Sequence, residues 1–388
     1  MGNNMTNMAK KELISATKKR YLKANKKDKG KMLDEFCANS GLARKYAIKI
    51  LSAKCEYNKV ERVGRKGRKR KYGHDFMIEA IKIWETLDYP CGQRLKPALP
   101  EMYATLVRFK EIDFDEKISE QLKSVSGKTL DRRLEKERKE RCLKKNRGMT
   151  CRGTLLKSSI PVRLTNWDTT KLGFTEIDTV AHNGGDPAGL FAYTLDSTEI
   201  YSGWTEQWAT MGKGEAGVLE ALKNIRKSLP FNLLGIDGDN GGEIVNYHML
   251  RYCQAENLVY TRSRPEMKND NAYVEQKNYT HVRKLVGYHR YDQTEQVKLM
   301  NDLYRNEYRL FTNFFRPIMK ILSKEKINNS VCKKKYDEAK SPYQRLMACD
   351  QLSKEEKEKL AALYLSLNPL QLRRAIIEKT AKLKLTVK

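Results

Sequence analysis

Three acidic residues in a basic chain carry the chemistry this sequence can offer. Asp178 lies in FTEIDTV, Asp239 in LLGIDGDNGGEI and Glu275 in NDNAYVEQKN, and 35 residues separate the last two. Asp178 falls in a run whose neighbours Ile177 and Val180 should be buried, and a carboxylate there is costly unless it is paired or metal-bound. Asp239 follows the apolar run NLLGI, at the carboxyl end of a strand, where α/β sheets place ligand sites. Glu275 sits one turn inside a helix that Asn269 or Asp270 would cap. Hard carboxylate oxygens suit Mg²⁺. Two such ions, about 3.5–4 Å apart, serve an in-line displacement at a phosphodiester by activating the attacking oxygen and stabilising the leaving one. Asp178, Asp239 and Glu275 are therefore the candidate catalytic and metal-binding residues, with two Mg²⁺ per site and Mn²⁺ expected to substitute. Asp237 rivals Asp239, because residues two apart on an extended strand face the same way.

The elements that must position these acids are readable around them. GFTEIDTVAHN, GLFAYTLDST and YSGWTEQWAT are β-rich runs separated by turn residues and suggest an antiparallel meander. GEAGVLEALKNIRKSL is an amphipathic helix, FNLLGIDGDN a buried strand, GEIVNYHMLRYCQAEN a helix, LVYTRSRP a strand and NDNAYVEQKNYTHVRKLVG a helix. Three strands followed by helix, strand, helix, strand, helix is a mixed α/β order. His182 shares strand parity with Asp178 and could approach the metals. Trp204 and Trp208 share a face of the third strand and are expected in the core. Arg262 and Arg264 follow the fifth strand. With Lys268, His281, Arg283 and Lys284 they are candidate DNA contacts, although for the helical positions, Lys277 included, a solvated helix face is the plainer reading.

The chain has 388 residues and a net charge of +28, which points to a polyanion partner. The charge is uneven. From Leu172 to Met300 there are 13 Lys and Arg against 17 Asp and Glu, so the flanks carry all of the positive excess. In the first flank, Met32, Leu33, Phe36 and Cys37 form one apolar stripe, and Leu42, Tyr46, Ile50 and Leu51 another. Gly41 between them completes a helix-turn-helix pattern that presents Arg44, Lys45 and Lys49. The basic stretch RVGRKGRKRKYG brings Arg65, Lys66, Arg68, Lys69 and Arg70 to phosphates or a minor groove. A second helix-turn-helix pattern, with Ile118, Leu122 and Val125 before Ser126-Gly127 and Leu130 and Leu134 after, exposes Lys128, Arg132 and Arg133. In the tail, FTNFFRP reads as packing, Ser353 with Glu356 as a capping box, and Asn368-Pro369 as a helix start. The eight cysteines show no metal-site spacing and suit a reduced cytosolic compartment. No apolar run approaches a membrane span, so no membrane partner is expected.

Together EIDTV, DGDNGGEI, TRSRPEMKNDNAYVEQKN and VRKLVGYHRY, with LDEFCANSGLARKYAIKIL and YDEAKSPYQRL, resemble the DDE transposase/retroviral integrase superfamily. Within it they resemble bacterial insertion-sequence transposases. The resemblance implies a multidomain chain: a helix-turn-helix DNA-binding region (1–61), a basic linker (62–73), a second helical, helix-turn-helix region (74–141), a connector (142–165), an α/β RNase H-like catalytic core with a mixed five-stranded sheet (166–308) and a mainly helical basic C-terminal region (309–388). It also implies an activity. The enzyme binds the ends of its mobile element, nicks them with a metal-activated water, and joins the freed 3′-hydroxyl to target DNA without a covalent protein intermediate. Double-stranded DNA and further copies of the chain, assembled on the nucleoid of a bacterium, are the implied partners. Asp178, Asp239 and Glu275 match the three family acids. Unlike retroviral integrases, the chain has no N-terminal His/Cys zinc site. A resolvase-type nuclease and a catalytically silent regulator are the alternatives.

Overall fold

The structure is a computed structural model that describes residues 7–52, 71–141, 170–239, 241–263, 272–326 and 332–387. The linker residues Arg65, Lys66, Arg68, Lys69 and Arg70, the connector 142–165, and Arg264, Lys268, Asn269 and Asp270 lie outside the described residues. The chain divides into two compact units, Met1–Lys71 and Tyr72–Lys388.

The first unit holds α1 (Asn7–Lys23), α2 (Lys26–Ser40) and α3 (Arg44–Ser52). The Asn25 side chain accepts a hydrogen bond from the Asp28 N–H and caps α2. Gly41 ends α2 at a φ of 68° and donates to the Cys37 carbonyl, a left-handed position that glycine takes without a Cβ clash. Tyr21, Leu33, Phe36, Ala47 and Leu51 form the core. The expected stripe on α3 is shifted. Ala47 and Leu51, four apart, face inward, while Tyr46 is 52% exposed. The small Ala47 admits close approach of α2, which a tyrosine ring at the contact would prevent. Arg44, Lys45 and Lys49 are exposed, and Arg44 pairs with Asp34.

The second unit opens with α4 (His74–Thr86), α5 (Gly92–Arg108), α6 (Glu116–Ser124), α7 (Gly127–Arg133) and α8 (Glu135–Glu140). Asp115 caps α6 and Ser126 caps α7. Trp84, Leu95, Leu99, Leu106, Leu122 and Leu130 pack in one cluster that runs on to Trp204, Phe314, Tyr343 and Tyr364. The helices expected to form separate second and C-terminal regions thus share a core with the central region. Helices α5 and α7 meet at two glycines: a Cβ on Gly92 would lie 2.0 Å from the Gly127 carbonyl oxygen. Backbone cannot yield as a side-chain tip can. Gly92→Ala is therefore expected to cost more than about 2 kcal/mol through overpacking, read as a lowered thermal midpoint with an unchanged far-ultraviolet spectrum.

The sheet contains β1 (Phe174–Ala181), β2 (Ala192–Glu199), β3 (Thr205–Met211), β4 (Gly235–Gly238) and β5 (Val259–Arg262) in the order β3-β2-β1-β4-β5. The first three strands are antiparallel, and β4 and β5 run parallel to β1. Side chains alternate between faces. Ile177, Leu195 and Ile236 meet α9 (Glu215–Ser228) and α10 (Tyr247–Ala255) through Val218, Leu222 and Met249. The other face meets α11 (Ala272–Lys277), which continues through a π-helical turn, Asn278–Arg283, into α12 (Lys284–Val286). Helix α13 (Thr294–Leu303), a second π-helical turn (Tyr304–Tyr308) and α14 (Arg309–Phe314) complete that layer. This mixed five-stranded sheet with flanking helices is the arrangement the resemblance implies for the catalytic core.

Beyond it, β6 (Ile321–Lys326) and β7 (Cys332–Tyr336) form a two-stranded sheet where the sequence suggested only a basic stretch and helices. Helices α15 (Pro342–Met347), α16 (Lys354–Ser366) and α17 (Pro369–Leu385) follow. Ser353 caps α16 through the Glu356 N–H, and Asn368 caps α17 through Leu370 and Gln371. Phe311, Phe314 and Phe315 of FTNFFRP are buried. Among the described residues no helix is long and apolar enough to cross a membrane.

Candidate active site

The parallel pairing of β1 with β4 brings two of the three acids together. Ile177 pairs with Gly238, so the next residue on each strand is an aspartate. Asp178 is half-buried. Its Oδ1 accepts from the Thr179 N–H at 2.7 Å and its Oδ2 from the Asn278 amide at 2.6 Å. Asp239, just past β4, accepts from the Gly241 N–H at 2.9 Å. Burial holds the Asp178 carboxyl above the usual carboxylate range, and the negative charge of Asp239 adds to that. Burial and then Glu243 raise Asp239 against the pull of its bond from Gly241. Glu243, in the turn before α10, accepts from the Thr179 hydroxyl at 3.1 Å. Its part in this acidic cluster was not singled out from the sequence.

Glu275 stands in the first turn of α11 and is exposed. Among the described residues, no group of three or more His, Cys, Asp or Glu is placed to hold one metal ion. Of the three expected acids, Asp178 and Asp239 lie close enough to repel each other, and Glu275 is exposed on α11. A third carboxylate brought against two whose repulsion already raises a pKa would be unfavourable without cations. Asp178 and Asp239 are hard oxygen donors whose mutual repulsion a divalent ion would relieve, and in that respect the site fits Mg²⁺.

The helix bearing Glu275 is fixed to the same strand. The buried carboxylate of Glu176 accepts from the backbone N–H groups of Tyr273 at 2.9 Å and Val274 at 3.1 Å. These are amides of the first turn of α11, which has no partners for them within the helix. Glu176 thus anchors the helix start two residues before Asp178, and Asn278 ties the next turn to Asp178 itself. Its neighbour across β4 is Asp237, which is fully buried and accepts from the Thr261 hydroxyl at 2.5 Å. That burial separates Asp237 from the more open Asp239. Glu176→Gln removes the charge that holds two amides. It is expected to loosen the start of α11, read as at least about tenfold faster amide hydrogen exchange at Tyr273 and Val274.

Behind Asp178 the face turns polar. Asp196 pairs with Asp178 across β2 and Gln207 with Asp196 across β3, and the Gln207 amide donates to Asp196 at 3.0 Å. Burial pushes Asp196 up to about 7 and Lys277, packed above this face, down to about 7. His182 is fully buried, with Nε2 at 2.7 Å from the Thr194 hydroxyl, and burial lowers it to about 3. It is a neutral core residue.

Other sequence expectations are corrected by burial. His281 is 3% exposed and packs edge-on to Tyr308, and Arg262 is 6% exposed, so neither reaches a phosphate from this position. Arg283 is half-buried over the Tyr288 ring, and Arg133 is tied to the Tyr72 carbonyl. Lys128, Arg132 and Lys284 are exposed. The two tryptophans do not share a cluster. Trp204 precedes β3 and packs on Phe314, while Trp208 is half-buried against the α9 side.

No protein-family model matches the chain. Solved structures with partial likeness include the catalytic core domain of HTLV-2 integrase in complex with magnesium, at 13% identity, 37% of this chain, 88% of that chain and a TM-score of 0.28. The catalytic core domain of BIV integrase shares 12% identity over 44% of this chain and 91% of its own, with a TM-score of 0.28. Sequence similarity reaches further, to the uncharacterized protein y4rM of Sinorhizobium fredii. With 34% identity over 326 residues, 83% of this chain and 91% of that protein, the chain belongs to one family with y4rM.

Proposed function

We propose that this protein is a DDE-type transposase, a metal-dependent polynucleotidyl transferase that cuts the ends of a mobile element and joins them to target DNA. The observation that carries the reading is the meeting of Asp178 and Asp239 at neighbouring ends of β1 and β4, with the Glu275 helix anchored to the same strand through Glu176. Asp178 and Asp239 would hold Mg²⁺, and Glu275 would join them. When bound, the ions supply activation of the attacking oxygen and stabilisation of the leaving one.

The remaining work falls to the chain's own groups. Thr179 and Asn278 fix the two oxygens of Asp178, and Gly241 fixes one of Asp239. The α2–α3 and α6–α7 pairs are the helix-turn-helix candidates for reading element ends, through Arg44, Lys45, Lys49, Lys128 and Arg132. Two DNA ends must be held at once, so the working form is an oligomer on DNA. Because binding displaces condensed counterions, end affinity is expected to fall steeply with salt, with a log–log slope steeper than about −4 for five phosphate contacts, measured by fluorescence anisotropy between 50 and 300 mM salt.

The direct test is a strand-transfer assay with labelled element-end DNA. Joined product is expected with Mg²⁺ or Mn²⁺ and none with chelator. Hydrolysis without joining would favour the nuclease reading. End binding with no cleavage in any metal would leave a regulator.

A further inference from the structure

The ends of β1 and β4, where Asp178 and Asp239 lie, share one end of the sheet with the start of β2 and the end of β3. The rim there is a pinned structure. Gly184, Gly185 and Gly189 turn the β1–β2 loop at positive φ. Arg290 holds that loop by donating to the carbonyls of Asn183, Asp186, Ala188 and Leu190 at 2.7–3.5 Å, and its Nε donates to Asp292. The same guanidinium lies over the Phe191 ring, 5.3 Å from its centroid, and Phe191 stacks on Tyr193 at 5.0 Å and 26°. Phe191 is buried, whereas Tyr193 is half-buried, and its hydroxyl makes no hydrogen bond among the described residues. Register puts the Tyr193 ring beside the acids. Tyr193 pairs with Ala181 on β1, so it shares a face with Thr179, whose hydroxyl holds Glu243. Diagonal neighbours of this kind are within reach of an aromatic side chain. Burial and then the Glu243 charge raise the phenol. Lys213 stands on the turn between β3 and α9, after Gly212 at a φ of 75°. It is exposed and in no ion pair among the described residues. Burial dominates the Asp239 carboxyl, and the Lys213 charge is among the groups that pull it the other way, which puts this ammonium within electrostatic reach of the site. The neighbouring Glu215 is directed to His248, 3.9 Å away.

We propose that this rim seats the DNA strand beside the cut: Lys213 takes a backbone phosphate, and the Tyr193 ring, resting on Phe191, takes the adjacent base. The inference rests on the reading of Asp178 and Asp239 as a phosphodiester-cutting site and names what the strand touches next to it. A strand led towards carboxylates is repelled by them, and an unpaired cation at the mouth offsets that repulsion. Stacking on an aromatic ring is tolerant of sequence, which suits a strand whose bases the helix-turn-helix units do not read.

The test is fluorescence anisotropy of the full chain on labelled element-end DNA across a range of salt, with Ca²⁺ in place of Mg²⁺ as the hard cation. Lys213→Ala is expected to make the log–log salt slope less steep by about 0.9, the loss of one phosphate contact, and Lys213→Arg to restore it. Tyr193→Leu is expected to weaken binding at least about fivefold with the slope unchanged. Tyr193→Phe should bind like wild type, because the ring and not the hydroxyl carries the stacking. The Mg²⁺-induced rise in melting temperature separates a phosphate contact from a counter-charge. A lysine that only offsets the acids would, on removal, change that rise and leave the salt slope alone, and that result overturns the proposal. Tyr193→Leu with wild-type affinity overturns it as well. Wild-type protein that binds end DNA but neither cuts nor joins it strikes the proposed function, while the slope and affinity still decide this surface.

Discussion

Asp178→Asn is expected to lower metal-dependent strand cleavage at least about a thousandfold and, in the same molecule, to stabilise the metal-free fold at alkaline pH. The activity loss follows from removing a hard, charged oxygen from the pair that would hold the ions. The stability gain follows from the pKa. Burial and the Asp239 charge raise the folded-state carboxyl above its unfolded value, so the folded chain holds this proton more tightly than the unfolded chain. Stability from such a group is full below the unfolded pKa and is lost as pH climbs through the raised one. The amide that replaces the carboxyl does not titrate. It can still accept from the Thr179 N–H. Asn278 can turn its amide to answer it, because its own Oδ1 is buried without a partner. The variant should therefore melt about 2–4 °C above the wild type at pH 8, with a smaller gap at pH 5 that closes only toward about pH 4, where the unfolded carboxyl protonates. Adding millimolar Mg²⁺ should reverse the order, since only the wild type gains by binding the ion in its folded state. Differential scanning fluorimetry at both pH values, with and without Mg²⁺, gives all four numbers. A variant that cleaves at near wild-type rate removes Asp178 from the chemistry, and with it the proposed function.

That pairing of lost activity with gained stability shows how far the sequence could be read. Asp178 and Asp239 were legible because each breaks a local rule: a carboxylate in an apolar strand, and an acid at a strand end before Asn-Gly-Gly. The order of strands and helices was legible because strand and helix periods differ. The roles of neighbouring acids were not. Glu176 and Asp178 sit two apart in FTEIDTV with the same strand parity, and nothing local says that one anchors the start of a helix through Tyr273, 97 residues later, while the other faces Asp239. Asp196 and Gln207 gain meaning only from the register of β1, β2 and β3. His281 read as an exposed helix position, yet the π-helical turn and the packing of Tyr308 bury it. CKKKY read only as a basic stretch, and cross-strand pairing makes it a strand, as context often does for β propensity. Gly41 and Asn368 were legible because turn and cap chemistry is local.

Glu206→Ala is expected to destabilise the second unit by about 3–5 kcal/mol, the largest loss of stability foreseen for one side chain. Glu206 lies on β3 and is 4% exposed. It accepts from Arg309 at 2.8 and 3.0 Å and from the Trp204 indole at 2.8 Å. Arg309 also donates to the Ser228 carbonyl at the end of α9. One carboxylate therefore joins β3, α14, α9 and the tryptophan that enters the shared core. Truncating it leaves a buried guanidinium with a single carbonyl for company and an indole N–H with nothing, and an unpaired buried charge costs more than a lost pair. A fall in thermal midpoint of about 6–15 °C is expected. The double variant Glu206→Ala with Arg309→Met should recover a substantial part of it, because removing both charges also removes the desolvation penalty. A loss below about 1 kcal/mol, or no recovery in the double variant, would show that the pair is not an isolated buried contact. The consequence reaches the site. Gln207, the next residue on β3, pairs with Asp196, which pairs with Asp178. Loosening β3 at Glu206 should therefore weaken Mg²⁺-induced stabilisation in the single variant and restore it in the double.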